Sequence, residues 1–208
     1  MKTYDVVKRV VDIAVSAAGL VVTAPLQLGV AALIRLRMGS PVLFRQRRPG
    51  KNGEIFDLVK FRTMLAPTAD RISDEDRLTR LGRLLRSTSL DELPTLLNVF
   101  KGDMSLVGPR PLLVEYLEYY TPEQARRHEV RPGVTGLAQV SGRNNVDWDR
   151  RFELDVEYVD NRSLALDFRI LRDTVGTVVN RRGISQQGHA TMTPFTSAQK
   201  GSGADAEA

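Results

Sequence analysis

The chain has 208 residues, a formal charge of +5, 42% hydrophobic residues and no cysteine. That length suits one domain, or one domain with an anchor, and the missing cysteine excludes disulfides and thiolate metal sites. A sequence pI of about 9.7 admits three partners: nucleic acid, an anionic membrane surface or a phosphate-rich substrate. The arginines are scattered, often beside Gly or Pro, and no helix-turn-helix, zinc-finger or aromatic-basic signature occurs, so nucleic acid is set aside.

From Val10 to Ile34 the only polar interruptions are Asp12, Ser16, Thr23 and Gln27. About 20 apolar residues suffice to cross a bilayer as a helix. Pro25, at the middle, removes a backbone donor and bends the helix. Lys2, Lys8 and Arg9 precede the run, and Arg35 and Arg37 follow it. Basic flanks on both sides suit a helix that enters, bends at Pro25 and returns to the same face, a re-entrant hairpin. A straight span, a cleaved signal peptide with small residues at Val22-Thr23-Ala24 and a buried core helix compete with it. Residues 1–37 are therefore assigned to a membrane anchor.

Pro41–Arg45 and Ile55–Phe61 read as two strands around Asn52-Gly53, a hairpin signal. Ala66–Asp76 is polar and reads as a loop. Arg77–Arg86 places Leu78, Leu81, Leu84 and Leu85 at helical spacing with arginines opposite, which suits an interfacial helix or a solvated surface helix. Glu92–Phe100 reads as a helix closed by Lys101-Gly102. Pro111–Tyr120 and Pro122–His128 also read as helices. Their Tyr116, Tyr119 and Tyr120 suit either an interface or a core. Arg131–Gly136 reads as a turn and Leu137–Val140 as an extended piece. Trp148–Asn161 and Leu166–Asn180 complete the helices. The expected fold is α+β and mostly helical: an anchor, a small β-hairpin, a catalytic domain over residues 38–192 and a disordered tail over 193–208.

The chemistry gathers at Ser89-Leu90-Asp91-Glu92-Leu93-Pro94 and at the following run from Gly102 to Pro111. Two adjacent acids and an arginine between two prolines are equipment for a phosphate ester. One carboxylate attacks, one holds Mg²⁺, and a guanidinium neutralises charge. A structural reading competes: Asp91 as a helix N-cap and Glu92 as a complement to the helix dipole. His128 and His189 are spaced wrongly for a metal site.

Lys8–Asp12, Lys60–Met64, Ser89–Pro94, Gly102–Pro111, Arg131–Gln139 and Ser141–Asn144 occur in this order. Together they resemble the bacterial sugar transferases known as small monotopic phosphoglycosyl transferases, over nearly all of Lys8 to about Phe195. The resemblance implies a re-entrant helix on the cytoplasmic face of the bacterial inner membrane and contact with membrane lipid. It implies Mg²⁺, a UDP-sugar donor and a polyprenyl (undecaprenyl) phosphate acceptor. Asp91 would be the nucleophile and Glu92 the metal ligand. The motif Pro109-Arg110-Pro111 would line the nucleotide side. Arg86, Arg131 and Arg143 match phosphate-binding positions, and Lys60 and Asp167 match substrate-side positions. Leu112–Leu117 and Gly188–Thr191 resemble members that begin protein glycosylation, which implies an N-acetylated amino sugar such as diacetylbacillosamine. A silent scaffold in a glycan pathway is the competing function. One departure stands out: Ala24 precedes Pro25 where close relatives carry Ser, so the hydroxyl that would serve a freed carbonyl is missing.

Overall fold

The computed structural model describes residues 3–142, 146–179 and Phe195. Helix α1 covers Thr3–Met38 and runs on through Pro25. Of its residues only Asp12, Ser16, Val30 and Ile34 are buried, and Val21, Val22 and Leu28 stay largely exposed. One residue earlier, Thr23 carries a hydroxyl, but it bonds a different carbonyl from the Val21 one that Pro25 frees. Thr23 Oγ1 donates to the Gly19 carbonyl at 2.6 Å, and Gln27 Nε2 donates to Thr23 Oγ1 at 2.9 Å.

Both ends of α1 dock on one body. Near its start, Lys8 Nζ and the Tyr4 hydroxyl reach Asp167 Oδ2 at 2.8 and 2.9 Å, and Asp12 Oδ1 accepts from Ser105 Oγ and from the Leu106 amide. Near its end, Val30 and Ile34 pack with Phe61 and Leu85. The carbonyls of Met38, Gly39 and Ser40 accept from the Arg62 guanidinium, which suits the negative end of a helix.

Strands β1 (Leu43–Pro49) and β2 (Ile55–Phe61) pair antiparallel, with Phe44 opposite Lys60, Gln46 opposite Leu58 and Arg48 opposite Phe56. The free edge of β2 is closed by side chains. Asn98 Oδ1 accepts from the Val59 amide, Asn98 Nδ2 donates to the Asp57 carbonyl, and Thr95 Oγ1 donates to the Val59 carbonyl. Buried backbone groups need such partners, and these bonds press the Leu90–Lys101 segment onto the hairpin.

That segment is not the single helix expected. A 3-10 helix covers Leu90–Thr95, and α4 follows at Leu96–Lys101. The region before it also divides, into α2 (Asp74–Arg77) and α3 (Arg80–Ser87), because Thr79 caps α3 by accepting from the Gly82 amide. A Cβ on Gly82 would lie 1.9 Å from the Thr63 carbonyl oxygen, so α3 can sit on Thr63 only through a glycine.

Strands β3 (Ser105–Val107) and β4 (Gly133–Thr135) form a parallel pair. The expected turn at Arg131–Gly136 therefore contains a strand whose partner is remote in sequence. Gly108 and Gly133 cross so closely that a Cβ on Gly133 would fall 2.1 Å from the Gly108 amide nitrogen. Pro111–Tyr120 shortens to a 3-10 turn at Val114–Glu118, and Pro122–His128 becomes α5 (Pro122–Ala125) with a 3-10 turn at Arg126–Glu129. Leu137–Val140, read as extended, is helix α6. Helices α7 (Trp148–Asn161) and α8 (Leu164–Val179) match the reading closely.

One core joins Leu58, Val99, Met104, Leu106, Val107, Tyr158 and Ile170. A second is aromatic and takes in Tyr116, Trp148, Phe152 and Phe195, so these tyrosines pack rather than float. Phe195, inside the stretch expected as a tail, is buried and donates its amide to the Tyr116 hydroxyl. Replacing Asp12 by Ala leaves the buried Leu106 amide without an acceptor and should cost about 1–3 kcal/mol. Thermal unfolding of the detergent-solubilised variant measures it, and an unchanged midpoint would contradict the anchoring role.

Candidate active site

Strand alternation puts Gln46 and Arg48 of β1 on the face of Leu58 and Lys60 of β2. The 3-10 helix lays Glu92 across that face. Lys60 Nζ donates to Glu92 Oε1 at 2.6 Å, and Arg110 Nη2 donates to the same oxygen at 2.7 Å. A cleft opens there, lined by Arg48, Lys60, Glu92, Thr95, Arg110 and Pro111 among others. Burial alone would push the Glu92 carboxyl up, but Arg110 and Lys60 overcome it and hold the group well below the usual carboxylate range.

Asp91 behaves in the opposite way. It is buried, and among the described residues no side chain donates a hydrogen bond to it. Burial and the neighbouring charge of Glu92 push its carboxyl up to about 6, against Lys60, Arg86 and Arg110. It adjoins the cleft through Glu92 and does not itself line it. The capping alternative fails, because Ser89 is the N-cap position and offers no side-chain cap. Ser89 holds φ 57, a left-handed conformation that side chains rarely adopt. Such strain concentrates at functional turns.

Arg86 donates through Nε to Thr63 Oγ1 at 3.1 Å, and its charge is felt at Asp91. Thr63, the fourth residue of the Lys60–Met64 block, thus earns a structural role that the sequence reading passed over. Each of its neighbours has one too: Lys60 holds Glu92, Phe61 enters the core and Arg62 closes α1. Pro109 and Pro111 flank Arg110, whose carbonyl accepts from Arg127 Nη2 at 2.7 Å. Arg127 is in turn buried against Asp155, with Nε and Nη2 at 3.1 and 2.7 Å from Asp155 Oδ2. Sequence reasoning missed both, because neither lies in a distinctive motif and they stand 28 positions apart.

Other expected site residues lie elsewhere. Arg131 Nε donates to the Gly102 carbonyl at 2.7 Å, bracing the turn before β3. Asp167 accepts from Lys8 and Tyr4, and the Tyr158 hydroxyl lies 2.7 Å from its Oδ1 and 3.1 Å from the Val107 carbonyl. This network ties α1, α7, α8 and β3 together. His128 Nδ1 faces the Gly50 carbonyl, and burial pushes its ring down to about 4, so it is neutral at pH 7. Arg143 and Gly188–Thr191 lie outside the described residues.

Removing Arg127 leaves Asp155 a buried charge without its hydrogen-bonding partner and should cost about 3–5 kcal/mol. Arg127→Met alone should lower the thermal midpoint sharply, and the double change Arg127→Met, Asp155→Leu should restore most of it. A double variant as unstable as the single one would refute the pairing.

The sequence model of the bacterial sugar transferase family matches residues 3–181. An uncharacterized sugar transferase, EpsL of Bacillus subtilis, is 52% identical over 194 residues, 92% of this chain and 96% of that protein. The UDP-glucose:undecaprenyl-phosphate glucose-1-phosphate transferase of Caulobacter vibrioides is 43% identical over 188 residues, 84% of this chain and 70% of that protein. The undecaprenyl-phosphate galactose phosphotransferase of Salmonella typhimurium is 38% identical over 196 residues, 85% of this chain but 41% of that longer protein. The match over 3–181 and the 52% identity over 194 residues place this chain in the bacterial sugar transferase family.

Proposed function

We propose that the protein transfers a sugar-1-phosphate from a UDP-sugar to undecaprenyl phosphate, releasing UMP, through a phosphoglycosyl-aspartate. The observation that carries this reading is the contrast within the acid pair. Glu92 is clamped by two cations, while Asp91 keeps a carboxylate with no hydrogen-bond donor among the described residues.

In the first step an Asp91 oxygen attacks the β-phosphorus of the donor. The bond from that phosphorus to the oxygen bridging to the α-phosphate breaks, and its electron pair leaves with UMP. In the second step a phosphate oxygen of the polyprenyl acceptor attacks the same phosphorus, and Asp91 leaves as a carboxylate. Two displacements let a water-soluble donor and a lipid acceptor use one site in turn. Arg110 and Lys60 face the developing phosphate charge from the cleft wall.

Among the described residues no cluster of three or more acidic, His or Cys side chains exists to cage a metal. Glu92 Oε1 takes both cations, and no described side chain donates to Oε2. That leaves one carboxylate oxygen for Mg²⁺, an ion that commonly binds through one or two carboxylates, substrate phosphates and water. When bound, Mg²⁺ would supply charge neutralisation on the phosphates.

Two of the relatives are named for glucose-1-phosphate transfer and galactose phosphate transfer. For this chain the N-acetylated amino sugar rests only on the sequence blocks Leu112–Leu117 and Gly188–Thr191, so UDP-glucose, UDP-galactose and UDP-diacetylbacillosamine all belong in the donor panel. The anchor reading is monotopic, on the cytoplasmic face of the inner membrane. It is supported by the docking of both ends of α1 on one body, since a straight span would part them by roughly 30 Å of hydrocarbon. Impermeant labels at Thr3 and Asn52 should react from the same face. Reactivity from opposite faces would remove the hairpin.

Asp91 should set the low-pH limb of activity. Its folded value of about 6 means that turnover rises with pH through about 6, as the carboxylate forms. The folded value also lies above the unfolded one, so the fold keeps a proton that the unfolded chain loses between about pH 4 and 6. Above that window the charged form destabilises the fold by about 3 kcal/mol, about two pKa units at 1.36 kcal/mol each. Asp91→Asn should therefore abolish UMP release and the covalent adduct seen by mass spectrometry, yet raise the thermal midpoint at pH 8. An adduct mapped to another residue would sink the mechanism.

A further inference from the structure

The acids of the cleft leave one of its cations over. Glu92 engages Lys60 and Arg110. Arg48 lines the same cleft, and among the described residues no carboxylate bonds it. A guanidinium has five N–H donors. Here Nη2 bonds Gln46 Oε1 at 2.6 Å, Nη1 reaches the Pro111 carbonyl only at 3.4 Å, and Nε is buried without a partner. Burial and the nearby charge of Arg110 push Arg48 down to about 10, so the two guanidiniums repel one another. Two guanidiniums and an ammonium gathered around one clamped acid leave an unmet demand for negative charge.

We infer that Arg48 binds a phosphate oxygen of the nucleotide half of the donor, sharing that anion with Arg110. The inference rests on the sugar-phosphate transfer proposed above. Phosphate suits the site because a planar fork takes two of its oxygens at once. Gln46 holds one end of the fork, and the weakly held Nη1 stands beside the Pro111 carbonyl, so the anion abuts the Pro109-Arg110-Pro111 turn. Arg48 is therefore a specificity residue for the leaving nucleotide and takes no part in attack on phosphorus.

The test uses the full chain in detergent, as wild type, Arg48→Lys and Arg48→Gln. UDP binding is measured by titration calorimetry, and donor and acceptor kinetics are measured in parallel. Both variants should weaken UDP binding and raise donor KM about ten-fold, the scale of one lost charge-assisted contact. The kcat, the acceptor KM and the thermal midpoint should stay near wild type. Loss in Arg48→Lys shows that the fork matters as well as the charge. If either variant fails to fold, Gln46→Ala, which frees Nη2, should give a smaller rise in the UDP Kd. Unchanged UDP affinity and donor KM, with turnover intact, would overturn the role of Arg48 and leave the transfer reading standing. A wild type that binds no UDP and releases no UMP from any donor would remove both.

Discussion

One carboxylate oxygen, Glu92 Oε1, accepts from an ammonium on a strand and a guanidinium on a turn. The rest of the site is arranged to permit that contact. Asn98 and Thr95 close the edge of β2 and so bring the 3-10 helix within reach of Lys60. The glycine crossing at Gly108 and Gly133 seats the Pro109-Arg110-Pro111 turn, and Arg127 grips its backbone from behind. Partly exposed ion pairs contribute little to stability by themselves. This one matters because it fixes where the cations point.

Several unfavourable features gather around the same site. Ser89 sits in a left-handed conformation, Asp91 is a buried acid with no described donor, and Arg48 and Arg110 place like charges in one cleft. A fold selected only for stability would replace at least the first two. Their coincidence in one region supports reading it as the site proposed above.

Much of this was legible in the sequence wherever local rules decide. Ile55–Phe61 and Trp148–Asn161 matched to the residue, since strand alternation, the Asn52-Gly53 turn and the Asp147 cap are local signals. The acid pair and Arg110 were legible as a motif. What escaped was non-local. Gly133–Thr135 is a strand only because Ser105–Val107 lies beside it. Phe195 is buried only because Tyr116, Trp148 and Phe152 converge on it. Four residues such as Leu137–Val140 are too few for periodicity to separate helix from strand. Arg48 was within reach: once the hairpin register is drawn, alternation alone sets it on the face of Lys60. Asp167 shows the converse, a residue that matches a family position yet serves the joint between the anchor and the domain.

That joint has a spatial consequence. Asp12 and Lys8 fasten one end of α1 to the domain, and Ile34 with Arg62 fastens the other. On the monotopic reading proposed above, with the apolar middle of that helix in lipid, these two fastenings keep the body from rising or sinking. The cleft then rides at a set altitude above the hydrocarbon, as a keel sets the draught of a hull. A lipid-borne acceptor must lift its headgroup to that level, and a thicker or thinner bilayer would change the climb.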